Sequence, residues 1–170
     1  MALIGSKMII ALATDHAGFA QAAELEEYLK SLGYGCRSFG PKTLDPQDDY
    51  PDFIKPAAKA VASGECQKGI ILGGSGQGEA MAANRVHGVR CAVFYGPAVP
   101  RRVVDAEGRT SHDPYEIVRL SRQHNDANML SLAARFVSFK DMKQVIKLWL
   151  DTPFSDESRH QRRIKELDEL

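Results

Sequence analysis

An apolar run that ends in glycines and restarts as a helix constrains this chain more than any other stretch. Residues 69–84 read GIILGGSGQGEAMAAN. Ile70, Ile71 and Leu72 form the run, Gly73, Gly74, Ser75, Gly76, Gln77 and Gly78 form the turn, and helical spacing resumes from Glu79 to Arg85. A short apolar run bounded by glycines predicts a strand buried on both faces, as in a parallel sheet, that feeds a helix N-terminus. Glycines let the backbone bend sharply and bring N–H groups close to a ligand. Such groups favour an anion or a developing oxyanion. Glu79 is out of place for holding phosphate, but well placed to move a proton beside these donors.

Two familiar glycine-loop readings fail letter by letter. A dinucleotide fingerprint needs glycine at its first, third and sixth positions. Counted from Gly74 it meets Glu79 at the sixth, and counted from Gly76 it meets Met81. A phosphate-binding P-loop needs Lys followed by Ser or Thr after its last glycine, and neither follows Gly78. A tight strand-to-helix turn with a solvated Glu79 is the plain alternative, and the rest of the chain weighs against it.

That rest alternates between two periods. Strands are expected at 8–13, 34–39, 70–72, 90–95 and 129–134. Between and after them lie amphipathic helices, such as 19–32 with Ala22, Leu25, Leu29 and Leu32 on one face. After a break at Asp49-Tyr50-Pro51-Asp52 comes a helix carrying Phe53, Ile54, Ala58 and Val61; another spans 140–151, and a basic tail helix carries Arg159, His160, Arg162, Arg163 and Lys165. Strands alternating with helices predict a three-layer α/β/α, Rossmann-like (flavodoxin-like) fold, with a parallel sheet of about five strands and a C-terminal helical tail. The order of the strands is not readable from the pattern. Ligands of such sheets sit beyond the strands' C-terminal ends. Asp15 and His16 fall there after the first strand, as do Ser75 to Glu79 after the third. His124 and Asn125 precede the fifth strand, so the pattern alone does not put them at that end.

Residues 1–7 read as a disordered leader and 8–170 as one domain, long enough to bury a substantial core. Lys and Arg number 22 and so do Asp and Glu, which leaves no general field for nucleic acid or an anionic membrane. Nothing reads as a transmembrane span or secretory signal. Cys36, Cys66 and Cys91 are odd in number and widely spaced, which fits a reducing cytoplasm rather than a disulfide framework or metal cluster. Cys91 reads as an inert core thiol, Trp149 as core, and His87 and His112 as surface residues. No His/Asp/Glu spacing suggests a metal. Residues 96–113 hold two prolines and little periodicity, and long irregular loops of this kind are often lids or binding loops.

Taken together, Asp15-His16-Ala17-Gly18, Asp49-Tyr50-Pro51-Asp52, Gly73-Gly74-Ser75-Gly76-Gln77-Gly78-Glu79, Ala82-Ala83-Asn84, His124-Asn125-Asp126-Ala127-Asn128, Ala134-Arg135 and Arg159-His160-Gln161-Arg162-Arg163 resemble the ribose-5-phosphate isomerase B family. That family also includes galactose-6-phosphate isomerase subunits. The motifs run in family order over nearly the whole chain from Met8. One branch is similar to this chain in pairing Gly at 73 with Glu at 79. The other has a catalytic Cys at 73 and an apolar residue at 79.

The resemblance implies cofactor-free aldose–ketose isomerisation of a phosphorylated sugar through a cis-enediolate. Glu79 would be the base, Ser75 and the amides of residues 74–78 (Gly74, Gly76 and Gly78 among them) the oxyanion donors, and His124 with Asn125 the ring-opening groups. Arg135, Arg159 and Arg163, with His16 and His160 beside them, would hold the phosphate; Asp15 and Tyr50 would line the sugar. It also implies a homodimer or homotetramer whose sites are shared between subunits. Relative to the family pattern, residues 96–113 look like an insertion, expected as a lid, a rim or a subunit contact. Ribose 5-phosphate is the default substrate; galactose 6-phosphate, allose 6-phosphate and tetrulose phosphates are alternatives. A non-catalytic sugar-phosphate or nucleotide-binding module is the reading from another class. Plainer roles stand beside these: His16 as a loop residue, His124 as a turn cap, Arg159 and Arg163 as a solvated basic face.

Overall fold

A computed structural model describes residues 7–169. Apart from Lys7, the expected leader lies outside the described residues. Five strands form, all parallel: β1 (Ile9–Thr14), β2 (Gly35–Ser38), β3 (Lys68–Gly73), β4 (Cys91–Phe94) and β5 (Met129–Ala133). Six α-helices join and follow them: α1 (Phe19–Ser31), α2 (Tyr50–Ala62), α3 (Gln77–Ala83), α4 (Glu116–Gln123), α5 (Phe139–Asp151) and α6 (Ser158–Asp168). The sheet order is β2-β1-β3-β5-β4, the flavodoxin arrangement with its last two strands exchanged.

The period-two alternation of each strand divides the core between the two faces of the sheet. Ile10, Leu12, Ile70, Leu72, Leu130 and Leu132 pack with Leu25 and Leu29 of α1 and with Met142, Val145, Ile146 and Trp149 of α5. Ala11, Ala13, Ile71 and Met129 pack instead with Ile54, Ala57, Ala58 and Val61 of α2 and Ala83 of α3. Small residues on this second face let α2 lie close to the strands.

Two boundaries differ from the expected ones for local reasons. Helix α2 begins at Tyr50 rather than after Asp52, because Pro51 falls at its first turn, where a missing N–H costs nothing. Helix α3 begins two residues early, because left-handed Gly76 turns the chain directly into it. Cys91 lies half-buried on edge strand β4 rather than in the core. Desolvation still pushes its thiol up to about 12, so it stays unreactive near neutral pH.

Candidate active site

The chain reverses between β1 and β3: β2 lies on one side of β1, and β3 on the other. Ligands favour such a switch point, and most of the singled-out residues gather there. Gly76 adopts φ of 73°, and a Cβ on it would come within 2.9 Å of Ser131 Oγ. That hydroxyl donates to the Gly76 carbonyl at 2.7 Å. The tight turn puts Glu79 in the first turn of α3, only 5% exposed.

The Glu79 side chain folds back over Gly73. A Cβ at position 73 would lie 1.8 Å from the Glu79 carboxyl carbon, so that carboxyl occupies the space a side chain on Gly73 would need. Burial pushes the Glu79 pKa above the ordinary glutamate range, helped by Asp15 and opposed by its own backbone N–H and by His16. A carboxyl shifted this way is a better match to proton transfer near neutral pH.

Around it stand Asp15, His16, Tyr50, Ser75 and Arg135. Asp15 Oδ1 accepts the Ala17 N–H at 2.9 Å, capping its own turn. The Tyr50 ring covers Gly78, where an added Cβ would meet Cζ at 2.9 Å. The Arg135 guanidinium lies over Gly74, with Nη1 3.4 Å from such a Cβ. Ser75 is exposed, its Oγ accepting the Gln77 N–H at 3.3 Å.

Sequence reasoning missed Asp48. Its Oδ1 lies 2.7 Å from His16 Nδ1 and accepts the His16 backbone N–H at 3.1 Å. The Asp48 side chain is only 8% exposed. It holds the His16 pKa above the usual histidine range; burial opposes this, Asp15 adds to it, and Arg135 opposes it. The available signal was slight, a second acid directly before Asp49. Asp15, His16 and Asp48 also bring potential metal donors within 4.8 Å of one another, two of them already joined by the His16–Asp48 hydrogen bond.

A second group forms elsewhere. The His124 and His160 rings stack at 4.4 Å between centroids. His160 is buried, with Nδ1 3.0 Å from Ser155 Oγ. Burial lowers the His124 pKa, with His160 and Arg159 acting in the same direction. Arg159 points its guanidinium at Glu107, Nη1 donating to Oε1 at 2.8 Å and Nη2 to Oε2 at 3.1 Å. Nη2 also lies 2.8 Å from Glu157 Oε2. A cavity of about 210 Å³ lies between His124, Arg159, Glu157, Asp105, Glu107 and Arg109. Arg163 and Asn125 are exposed near it in sequence; Asn125 lines instead a larger depression of about 560 Å³ along β4, with Arg90, Cys91 and Asp168.

One chain does not bring the two groups together. The Gly69 N–H meets Asn128 O at the start of β3 and β5, while the Arg135 N–H meets Gly74 O past their ends. Five residues of β5 at roughly 3.3 Å each separate His124 from the glycine loop by about 16 Å along the sheet.

The segment 96–113 contains neither helix nor strand, yet it is anchored. The Ala98 N–H donates to Pro114 O at 2.8 Å, and Arg109 reaches the buried Glu116 at 2.7 Å. Its acidic turn faces the His124–Arg159 cavity.

A model of the Ribose/Galactose Isomerase family matches residues 10–107 and 102–167. The chain belongs to this family. The two matched stretches meet inside the irregular segment. Ribose-5-phosphate isomerase B of Mycobacterium leprae is 34% identical over 165 residues, 97% of this chain and 91% of that protein. That of Escherichia coli is 32% identical over 156 residues, 92% of this chain and 91% of its own. Among solved structures, the type B ribose 5-phosphate isomerase of Trypanosoma cruzi superposes with a TM-score of 0.81 at 34% identity, covering 96% of this chain and 95% of that one. The Mycoplasma genitalium enzyme with bound ribulose-5-phosphate gives 0.80 at 31%, covering 95% of each. As a ribose/galactose isomerase, this chain is an aldose–ketose isomerase. No helix among the described residues is long and apolar enough to cross a membrane.

Proposed function

We propose that the chain interconverts ribose 5-phosphate and ribulose 5-phosphate through a cis-enediolate, with Glu79 as the base. The buried carboxyl over Gly73 carries this reading. In the aldose-to-ketose direction Glu79 takes the proton from C2 and returns it to C1, while the O2 proton passes to O1. Loop amides from Gly74 to Gly78 and the Ser75 hydroxyl hold the developing oxyanion, where fixed donors are worth most. His124, whose pKa burial lowers, exchanges the protons of ring opening, with Asn125, its neighbour in sequence, helping. Such a reaction needs no redox cofactor.

The site is shared between subunits of a homodimer or a larger homo-oligomer. Asp15, His16, Tyr50, the glycine loop, Glu79 and Arg135 come from one copy; His124, Asn125, Arg159, His160 and Arg163 come from another. The gap of about 16 Å within one chain supports this division. Residues 96–113 are an insertion forming the rim on the His124 side, which is where a change of sugar would be accommodated. The free thiols of Cys36, Cys66 and Cys91 fit a reducing cytoplasm.

Glu79→Gln tests the base. It should bind ribose 5-phosphate within a few-fold of the unaltered protein and lose turnover by roughly 10²-fold or more. Deuterium should enter C1 of ribulose 5-phosphate in heavy water with the unaltered protein alone. Mixing Glu79→Gln with His124→Asn protein should restore activity that neither has by itself. Normal turnover by Glu79→Gln would remove the base, and failure of the mixture would remove the shared site. If no pentose phosphate turns over while a hexose or tetrose phosphate does, the substrate assignment is wrong and the chemistry stands.

A further inference from the structure

We infer that Glu107 is a built-in occupant of the substrate's anion site, a specificity-determining carboxylate that a phosphate group must displace from Arg159. This rests on the reading of Arg159 as a phosphate ligand. Nη1 and Nη2, the fork nitrogens that would grip a phosphate, both donate to Glu107 oxygens, Nη2 lying also 2.8 Å from Glu157 Oε2. Planar two-point pairing of this kind is the same geometry that guanidinium offers to phosphate. Arg159 cannot present that edge to both at once.

The surroundings make the displacement selective. Asp105, Glu116 and Glu157 also line the cavity, against Arg109, Arg119 and Arg159. The space is therefore not a generally cationic trap. A monoanionic ligand merely exchanges one carboxylate for another and gains little. A phosphate dianion brings more charge and a third acceptor oxygen, so it displaces Glu107 where a sugar acid does not. The segment that supplies Glu107 is held from behind by the Arg109 contacts to Asp105 and Glu116. Glu107 itself lies at the tip, and its exposed side chain is free to swing into water. Exposed pairs of this kind are weak, which is what a displaceable occupant requires.

The experiment measures inorganic phosphate binding by titration calorimetry, and KM for ribose 5-phosphate, in four proteins: unaltered, Glu107→Gln, Arg159→Gln and the double variant. Glu107→Gln should tighten phosphate and lower KM by a few-fold. Arg159→Gln should weaken both, and Glu107→Gln should then have no effect in that background. If Arg159→Gln binds phosphate as tightly as the unaltered protein, the reading of Arg159 fails and takes the inference with it. If Arg159→Gln weakens phosphate but Glu107→Gln leaves it unchanged or weaker, Glu107 is no competitor, and the inference alone is overturned.

Discussion

Gly73→Ala is the sharpest probe of the site, because it adds one methyl group where the Glu79 carboxyl already sits. The backbone of Gly73 is not in the left-handed region, so alanine is acceptable to the strand itself. The three atoms nearest the new Cβ all belong to Glu79, whose carboxyl carbon would be 1.8 Å away. Ordinary contact begins near 3.4 Å, so the carboxyl must retreat by about 1.6 Å or more. Misplacing a reacting group by about 1 Å can cost roughly 10²-fold in rate, so turnover of ribose 5-phosphate should fall by about that factor or more. Forcing a methyl into a filled space should cost about 1–3 kcal/mol. In a chain of this size that lowers the thermal midpoint by about 2–4 °C per kcal/mol. A thermal-melt cycle with Glu79→Ala separates the two partners. Once Glu79 is truncated, Gly73→Ala should cost nothing, or even stabilise the strand by about 0.5–1 kcal/mol. Equal destabilisation in both backgrounds, or turnover by Gly73→Ala within a few-fold of normal, would refute the claim that Glu79 owns the end of β3.

Asp48→Asn should lower the pKa of His16, read from the ring protons by NMR, because the largest stabiliser of its protonated form is removed. A raised histidine pKa adds stability below the unfolded value of 6.5 that is lost as pH rises through the folded value. The variant should therefore lose more stability at acid pH than at pH 8.5; an unmoved His16 titration would refute the pairing. Lys68 titrates at about 8, depressed first by burial and then by Arg122, with Asp126 opposing. Between about 8 and 10.5 the unfolded chain binds the extra proton, so stability should rise with pH across that window. Lys68→Met should flatten that rise, by on the order of 1 kcal/mol, in chemical denaturation at paired pH values. The same slope in both proteins would disprove the shift.

The fold was legible because its signals are local and repeated. Each apolar run at 70–72 or 129–134 and each helical stripe such as Met142, Val145, Ile146 and Trp149 stands on its own periodicity. The exchange of β4 and β5 in the sheet is a long-range choice that no window of residues records. The glycine loop and Glu79 were legible because glycine and acid stand in one short stretch. Asp48 was not, since its partner His16 is 32 residues away and the bond forms only when two loops meet. Glu107 was hidden in the same way: nothing local marks one acid of an irregular loop as the partner of an arginine 52 residues later.

The Gly73–Glu79 overlap also gives a physical reason for the pairing that the resemblance implies at these positions. Read from sequence, the two branches of the resemblance differ at two separate sites: Gly with Glu in one, Cys with an apolar residue in the other. In space they differ at a single point. A side chain on residue 73 starts within 1.8 Å of the carboxyl carbon that Glu79 delivers and within 1.9 Å of its Oε1. A thiol at 73 would therefore project into the volume the carboxyl fills, at the end of the same strand and beside the same glycine amides. Having both would leave two polar groups competing for one buried space, and having neither would leave a void at the switch point. On the proposed reading of Glu79 as the base, the reacting atom would stand at the C-terminal end of β3 whether strand or helix supplied it. Changing Gly73 alone cannot convert one type into the other; Glu79 must be shortened in the same step.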